Sequence, residues 1–339
     1  MRVSLAVSVA LIATGLEAAL MTDGHQDAIT IMAEIQKQAT EALMKASTES
    51  PDRPVDGCSF GKAQVRQDWE NLGHDQKRDY IRAVQCLADS PSKLTLYGWA
   101  SKNRYDDFVG ECGYKGYQPY WNWFKYADDL SKSPVFDGSL TSMGGGGGEY
   151  FPHNGSMGGG NTIYFPPGKG GGCVTSGPFN LTINIGPITP RMDGLPSVGS
   201  LFEWNPRLRR DLTMSASRFL NAENLLNITV GDASHSVKLF QDELQGVRND
   251  PHGSGHFSMG ADGTDLYASI NDPAFWLHHS MLDRIYWKVD IAGGTVMREP
   301  DSPPAVLGDM LDVMGLDTNR PIKDLLDILG GTPLCYVYK

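Results

Sequence analysis

Histidine is scarce in this chain, eight residues in 339, and cysteine is scarcer at five. Cys58, Cys86, Cys112, Cys173 and Cys335 show no C-x-x-C spacing, which argues against a thiolate metal site and for disulfides. Five is odd, so one thiol stays unpaired or bonds outside the chain. Positive charge is also short: 29 Lys and Arg face 40 Asp and Glu, a net charge of -11 with no basic stripe. That balance repels nucleic acid and anionic membrane and excludes both as partners. Beyond the N-terminus no apolar run is long enough to span a bilayer. The phosphate-loop pattern is absent as well, because "GKG" at 168–170 lacks the Ser or Thr that must follow the lysine. No repeat of fixed period appears, and no linker separates two compositionally distinct halves.

What is present begins with "MRVSLAVSVALIATGLEAAL", one Arg, an apolar run from Val3 to Ala13, then small residues. This is the pattern of a secretory signal, with cleavage expected between Gly15 and Ala19, so 1–18 is read as signal and 19–339 as one mature domain. An extracellular destination suits disulfides and the three N-x-[ST] sequons at Asn154, Asn180 and Asn227, expected on surface loops. At 40% hydrophobic content the chain can bury a sizeable core. "DAITIMAEIQKQATEALMK" (27–45) sets Ile31, Ile35 and Ala39 at helical spacing. "DQKRDYIRAVQCLADSPSK" places Tyr80, Ile81, Val84 and Leu87 on one helical face that stops before Pro91. The stretch from 103 to 129 is dense in aromatics, with Pro119 and glycines breaking any long helix. Residues 139–172, with "GGGGGEYFPHNGSMGGG", are expected to form a long loop. "FNLTINIG" alternates Phe179, Leu181, Ile183 and Ile185 as a short strand would, and "SHSVKLFQDELQGV" returns to helix.

Two of the eight histidines stand side by side in "NDPAFWLHHSMLDRIYW" (271–287). Asn271 or Asp272 can cap a helix that has Pro273 at its first position and runs on to about 288. Upstream, "HGSGH" puts His252 and His256 at i and i+4, one above the other on a helix expected over 251–260. Gly253 and Gly255 weaken that helix by about 1 kcal/mol each relative to Ala, a cost that implies another source of order, such as a metal ion. A lone buried histidine is usually a satisfied core residue, and a lone H-x-x-x-H is usually accidental. Together, two helices bringing His252, His256 and His279 supply three neutral nitrogens to one ion. Asp283, one turn on, is placed to orient a ligand or pair with Arg284 or another cation. Three imidazoles suit Zn, Cu, Fe or Ni, and spacing does not choose among them.

"HGSGHFSMG" followed by "DPAFWLHHSMLDRIYW" resembles the copper-B half of the tyrosinase and catechol oxidase family, the type-3 dicopper proteins. "RQDWENLGHDQKRDYIRAVQCL", "YDDFV", "ECGYKGYQPYWNW", "GPFNLTINIGP" and the closing Tyr336-Val337-Tyr338 resemble its short secreted fungal members. The resemblance implies a mainly α fold: a four-helix-bundle core around copper, long loops and a few short strands. It implies His252, His256 and His279 as copper-B ligands and His278 beside the substrate pocket. It further makes Phe275 the ring that stacks on the phenol, with Gly253 and Phe257 tuning monophenol against diphenol activity. The implied reaction is oxidation of o-diphenols to quinones by O2, with monophenols and o-aminophenols as further candidates. Gly253 stands where some members carry Asn, which favours o-diphenols. Longer members continue into a C-terminal shielding domain that is not matched here.

One departure is large. Members carry three more copper ligands between the "YDDFV"-like and "ECGY"-like segments, whereas here Val109 runs through Gly110 straight to Glu111. No histidine lies between Tyr105 and Trp123, and His25, His74, His153 and His235 sit in no matching context. His74 and His153 read as solvated surface residues. The family holds two coppers; this chain is expected to hold one, to lack one core helical segment, and to be either an oxidase or a non-catalytic relative. The family also places Arg66 near the closing tyrosine motif, so Cys58 and Cys335, which flank those features, are the expected disulfide.

Overall fold

The computed structural model describes residues 24–49, 58–92, 103–107, 116–150, 152–158, 163–184, 207–245, 251–265, 268–288, 296–297, 304–313, 317–330 and 333–339. The fold is mainly helical. Its longer helices are α1 (Gly24–Glu49), α2 (His74–Asp89), α3 (Ala222–Val230), α4 (Val237–Leu244), α5 (Pro251–Met259) and α6 (Ala274–Lys288). The principal strands are β1 (Gln64–Arg66), β2 (Ser156–Gly158), β3 (Ile163–Phe165) and β4 (Tyr336–Tyr338). By contact density the chain divides into two compact units: 1–67, 222–246 and 282–339 form one, and 68–221 with 247–281 the other.

In the first unit α1 packs on α3. The buried stripe of α1 is Ala28, Met32 and Ile35, one helical face, while Ile31 and Ala39 lie at its half-buried margins. Leu225, Leu226 and Ile228 of α3 are fully buried. β1 pairs in parallel with β4, Val65 opposite Val337. Cys58 and Cys335 are disulfide-bonded just before these strands, with Cα atoms 5.7 Å apart, as the family pattern implies. The carboxylate of Asp283 gathers the same region: Arg66 Nη1 donates to it at 3.0 Å and the Tyr336 hydroxyl at 2.7 Å, and the Tyr338 hydroxyl donates as well. The Arg66 guanidinium lies 3.5 Å above the Tyr336 ring. Asp283 therefore pairs with Arg66, whereas the sequence left Arg284 or another cation open. Closing a loop of 277 residues stabilises the fold by about 5.6 kcal/mol in the chain-entropy model, less any strain.

In the second unit α2 buries Tyr80, Ile81, Val84 and Leu87, the face read from periodicity, and Trp69 meets the Tyr80 ring edge-on. Arg210 is wholly buried, and its guanidinium makes two bonds to Asp272, from Nε at 2.9 Å and Nη2 at 2.7 Å. Its other donors reach the carbonyls of Met143, Gly144 and Gly145. A buried pair of this kind is tolerable because every hydrogen is used. Asp272 also accepts from the Ala274 amide at 2.9 Å, so it caps α6, one of the two residues proposed for that role. The glycine run is thus folded around an arginine. Gly144, at φ +94°, takes a backbone conformation that a side chain would resist, and a Cβ there would meet Val174 at 2.7 Å.

The glycine-rich stretch departs from the expected loop in holding the antiparallel pair β2–β3, with Met157 opposite Tyr164. Asp211 anchors its far end by accepting from the amides of Gly168 (2.6 Å) and Gly170 (2.9 Å). His153 is not the solvated residue expected. Its side chain is buried against Asp211, Nε2 to Oδ2 at 2.9 Å, because the loop folds back over that carboxylate. "FNLTINIG" keeps its alternation, with Phe179, Leu181 and Ile183 buried, but forms only an isolated bridge from Thr182 to Arg207 in place of a strand. Ile185 lies outside the described residues, as do Cys112 and the Val109–Glu111 junction. Cys86 is disulfide-bonded and Cys173 is a free thiol.

Candidate metal centre

α5 starts at Pro251 and presents His252 and His256 one turn apart; α6, capped by Asp272, brings His278 and His279 to meet them. One nitrogen from each of the four histidines lies within 4.8 Å of the others, the one such cluster among the described residues. Hydrogen bonding separates these four. His278 is fully buried, and its Nδ1 lies 3.2 Å from the indole nitrogen of Trp123. An indole N–H only donates, so Nδ1 is the acceptor and the ring proton is on Nε2, which donates to the His252 carbonyl at 3.0 Å. Both nitrogens of His278 are occupied. His278 lies between α5 and α6, with no ring atom turned to solvent.

His256 is arranged otherwise. Its Nδ1 donates to the Gly263 carbonyl at 3.0 Å, leaving the Nε2 lone pair facing His279 Nε2 at 3.2 Å. Two ring nitrogens so close require a proton or a cation between them. Two nitrogens each about 2 Å from one tetrahedral ion stand roughly 3.3 Å apart, so the pair fits a metal. Burial, with the neighbouring His252 and His279, lowers the His256 pKa to about 3; burial, with His252, lowers that of His279 to about 4. Burial also depresses His252. All three rings are therefore neutral at neutral pH, the form in which imidazole binds metal.

The surrounding residues shape access. Phe275 is half-buried and stacks on His279, centroids 4.0 Å apart. Phe257 stacks on Phe165 of β3 at 5.0 Å, and Gly253 is half-buried after His252. A Cβ on Gly255 would stand 2.1 Å from His278 Cε1, so this helical glycine is the notch that receives the imidazole. That supplies a reason for Gly255 which the sequence had ascribed to a bound ion. Trp123 and the Gly263 carbonyl went unnoticed in sequence; only the aromatic density of "YWNWF" hinted at the first.

Of the other histidines, His74 is exposed at the start of α2, His235 is exposed near Asp232, and His153 is engaged by Asp211. None joins the cluster. Asn154, Asn180 and Asn227 are all exposed, though Asn227 lies on α3 and not on a loop.

The model of the common central domain of tyrosinase matches residues 99–289, more than half of the chain. The chain belongs to the tyrosinase family. It is 32% identical over 329 residues to Tyrosinase P of Aspergillus terreus, covering 81% of this chain and 91% of that protein. It is 31% identical over 352 residues to N-acetyl-6-hydroxytryptophan oxidase ivoB of Emericella nidulans, covering 84% and 94%. Among solved structures it is similar to a mutant polyphenol oxidase from Thermothelomyces thermophila, with TM-score 0.77 and 28% identity over 92% of this chain and 98% of that one. Membership of the tyrosinase family makes copper the implied metal, and phenols and O2 the implied substrates.

Proposed function

We propose that this tyrosinase-family chain is a secreted copper oxidoreductase acting on o-diphenols, and that His252, His256 and His279 hold one copper ion. The observation that carries this is the 3.2 Å approach of His256 Nε2 to His279 Nε2, with His256 Nδ1 tied back to Gly263. Copper, when bound, supplies the means of passing electrons from the phenol to O2. The chain's own residues do the rest. The α5 and α6 backbones hold the three rings so that binding costs little reorganisation. Phe275, stacked on His279, offers an apolar face against which an aromatic ring can lie. Gly253 follows His252 without a side chain, so it supplies neither amide nor carboxylate to help take the first proton from a monophenol. An o-diphenol, with its second hydroxyl, depends on such help less.

A second reading is that the chain binds its single copper without turnover, and the absence of histidine between Tyr105 and Trp123 favours it. Oxygen uptake with catechol, by copper-loaded wild type and His279→Ala, decides between them. Uptake that disappears in His279→Ala supports the oxidase. Copper binding without uptake supports the second reading. Uptake that survives His279→Ala contradicts the ligand assignment in both.

A further inference from the structure

We propose that His278 is the positioning residue of this metal centre, locked as its Nε2–H tautomer by Trp123, and that it sets the spacing of the two ligand-bearing helices. The proposal rests on the reading of His252, His256 and His279 as ligands, and adds a residue outside that set. Three contacts carry it. The indole nitrogen of Trp123 approaches Nδ1 at 3.2 Å and, being a donor only, settles which nitrogen is protonated. The proton left on Nε2 is directed at the carbonyl of His252 at 3.0 Å, so α6 is bonded to α5 at a ligand's own backbone. The ring then fills the notch at Gly255, where a Cβ would come within 2.1 Å, and lies nearly parallel to His252, 13° between planes with centroids 6.0 Å apart.

These contacts act as one device. Rotation of the His278 ring by half a turn would put Cδ2–H against the indole N–H of Trp123 and Cε1–H against the His252 carbonyl, so both bonds would be lost. The Nδ1–H tautomer would put N–H against N–H at Trp123. Translation is blocked by the Gly255 backbone on one side and by Trp121, whose ring meets His278 at 62°, on another. His279 follows His278 on the same turn, so what fixes one side chain fixes the backbone that carries the other. The adjacent pair of histidines thus divides its work: the first braces, the second binds.

The test uses full-length protein labelled with 15N in histidine. In the metal-free wild type, long-range 1H–15N spectra should show His278 as a single Nε2–H tautomer. Trp123→Phe keeps an aromatic ring but removes the indole donor; His278 Nδ1 should then show the 15N shift of an acceptor without a hydrogen bond, and the His252 ring signals should shift. Titration with copper(II) should then find affinity weakened 10- to 100-fold, the range for loss of an outer contact to a ligand. The cupric spectrum should change in its hyperfine splitting while still reporting three nitrogens. His278→Gln, whose side-chain amide can donate to the same carbonyl, should recover part of the affinity lost in His278→Ala. An Nδ1–H tautomer in wild type would overturn the proposal. So would copper affinity in Trp123→Phe within twofold of wild type, or a ligand nitrogen missing in His278→Ala. Should the wild type bind no copper, the proposed function falls, while the metal-free spectra still decide the role of His278. Unchanged His278 Nδ1 and His252 signals in Trp123→Phe would then reject it.

Discussion

Individual side chains in this protein owe their chemistry to what occupies their second polar atom. His256 is half-buried and His278 fully buried on facing helices, yet the first presents its Nε2 to His279 while the second presents no nitrogen. The Gly263 carbonyl takes only the Nδ1 proton of the first, whereas Trp123 and His252 occupy both nitrogens of the second. Asp262 shows the same logic in a carboxyl. It is wholly buried and accepts the Arg209 amide at 2.7 Å; burial, reinforced by Asp272 and Asp265, raises its pKa to about 7. In the unfolded chain it ionises near pH 4. Between those values the folded state holds one more proton than the unfolded state, so its contribution to stability falls as pH rises from about 4 and levels off above about 7. Asp262→Asn keeps an acceptor and carries no charge. Urea unfolding should show this variant gaining on wild type from pH 5 to pH 8, by on the order of a few kcal/mol at most. A pH-independent difference would contradict the assignment.

Helices and strands were legible in sequence where a single period ruled. The α2 face, the α6 cap at Asp272 and the two histidine-bearing helices follow from 3.6-residue spacing and from proline placement. Legibility failed where distant segments decide. Residues 179–184 have the alternation of a strand but only an isolated bridge partner, and the glycine run took shape around Arg210 and Asp211, residues far along the chain. Gly255 was visible as an oddity in a helix, but its cause lies on another helix. This gives a prediction of unusual sign. Alanine is favoured over glycine in a helix interior by about 1 kcal/mol. Here the added Cβ would meet His278 at 2.1 Å, so Gly255→Ala should lower stability, by roughly 1–3 kcal/mol as for overpacked cores. Thermal unfolding of the metal-free protein checks it; a raised midpoint would show that His278 does not occupy the notch.

At the level of the whole chain, family membership was readable because "HGSGH" and "DPAFWLHHSMLDRIYW" combine ligands, cap and core in one pattern. What the chain itself shows is that no histidine lies between Tyr105 and Trp123. The metal chemistry of the molecule then turns on number. Among the described residues one histidine cluster is assembled, and His74, His153 and His235 lie outside it, with His153 held by Asp211. Purified protein, reconstituted with excess copper(II) and desalted, should be assayed for metal per chain together with its electron paramagnetic resonance. Close to one copper per chain is expected, with a full cupric signal that is lost in His279→Ala. Two coppers per chain with a silent spectrum would contradict it, since a second site would then have to be built from histidines placed here outside the centre.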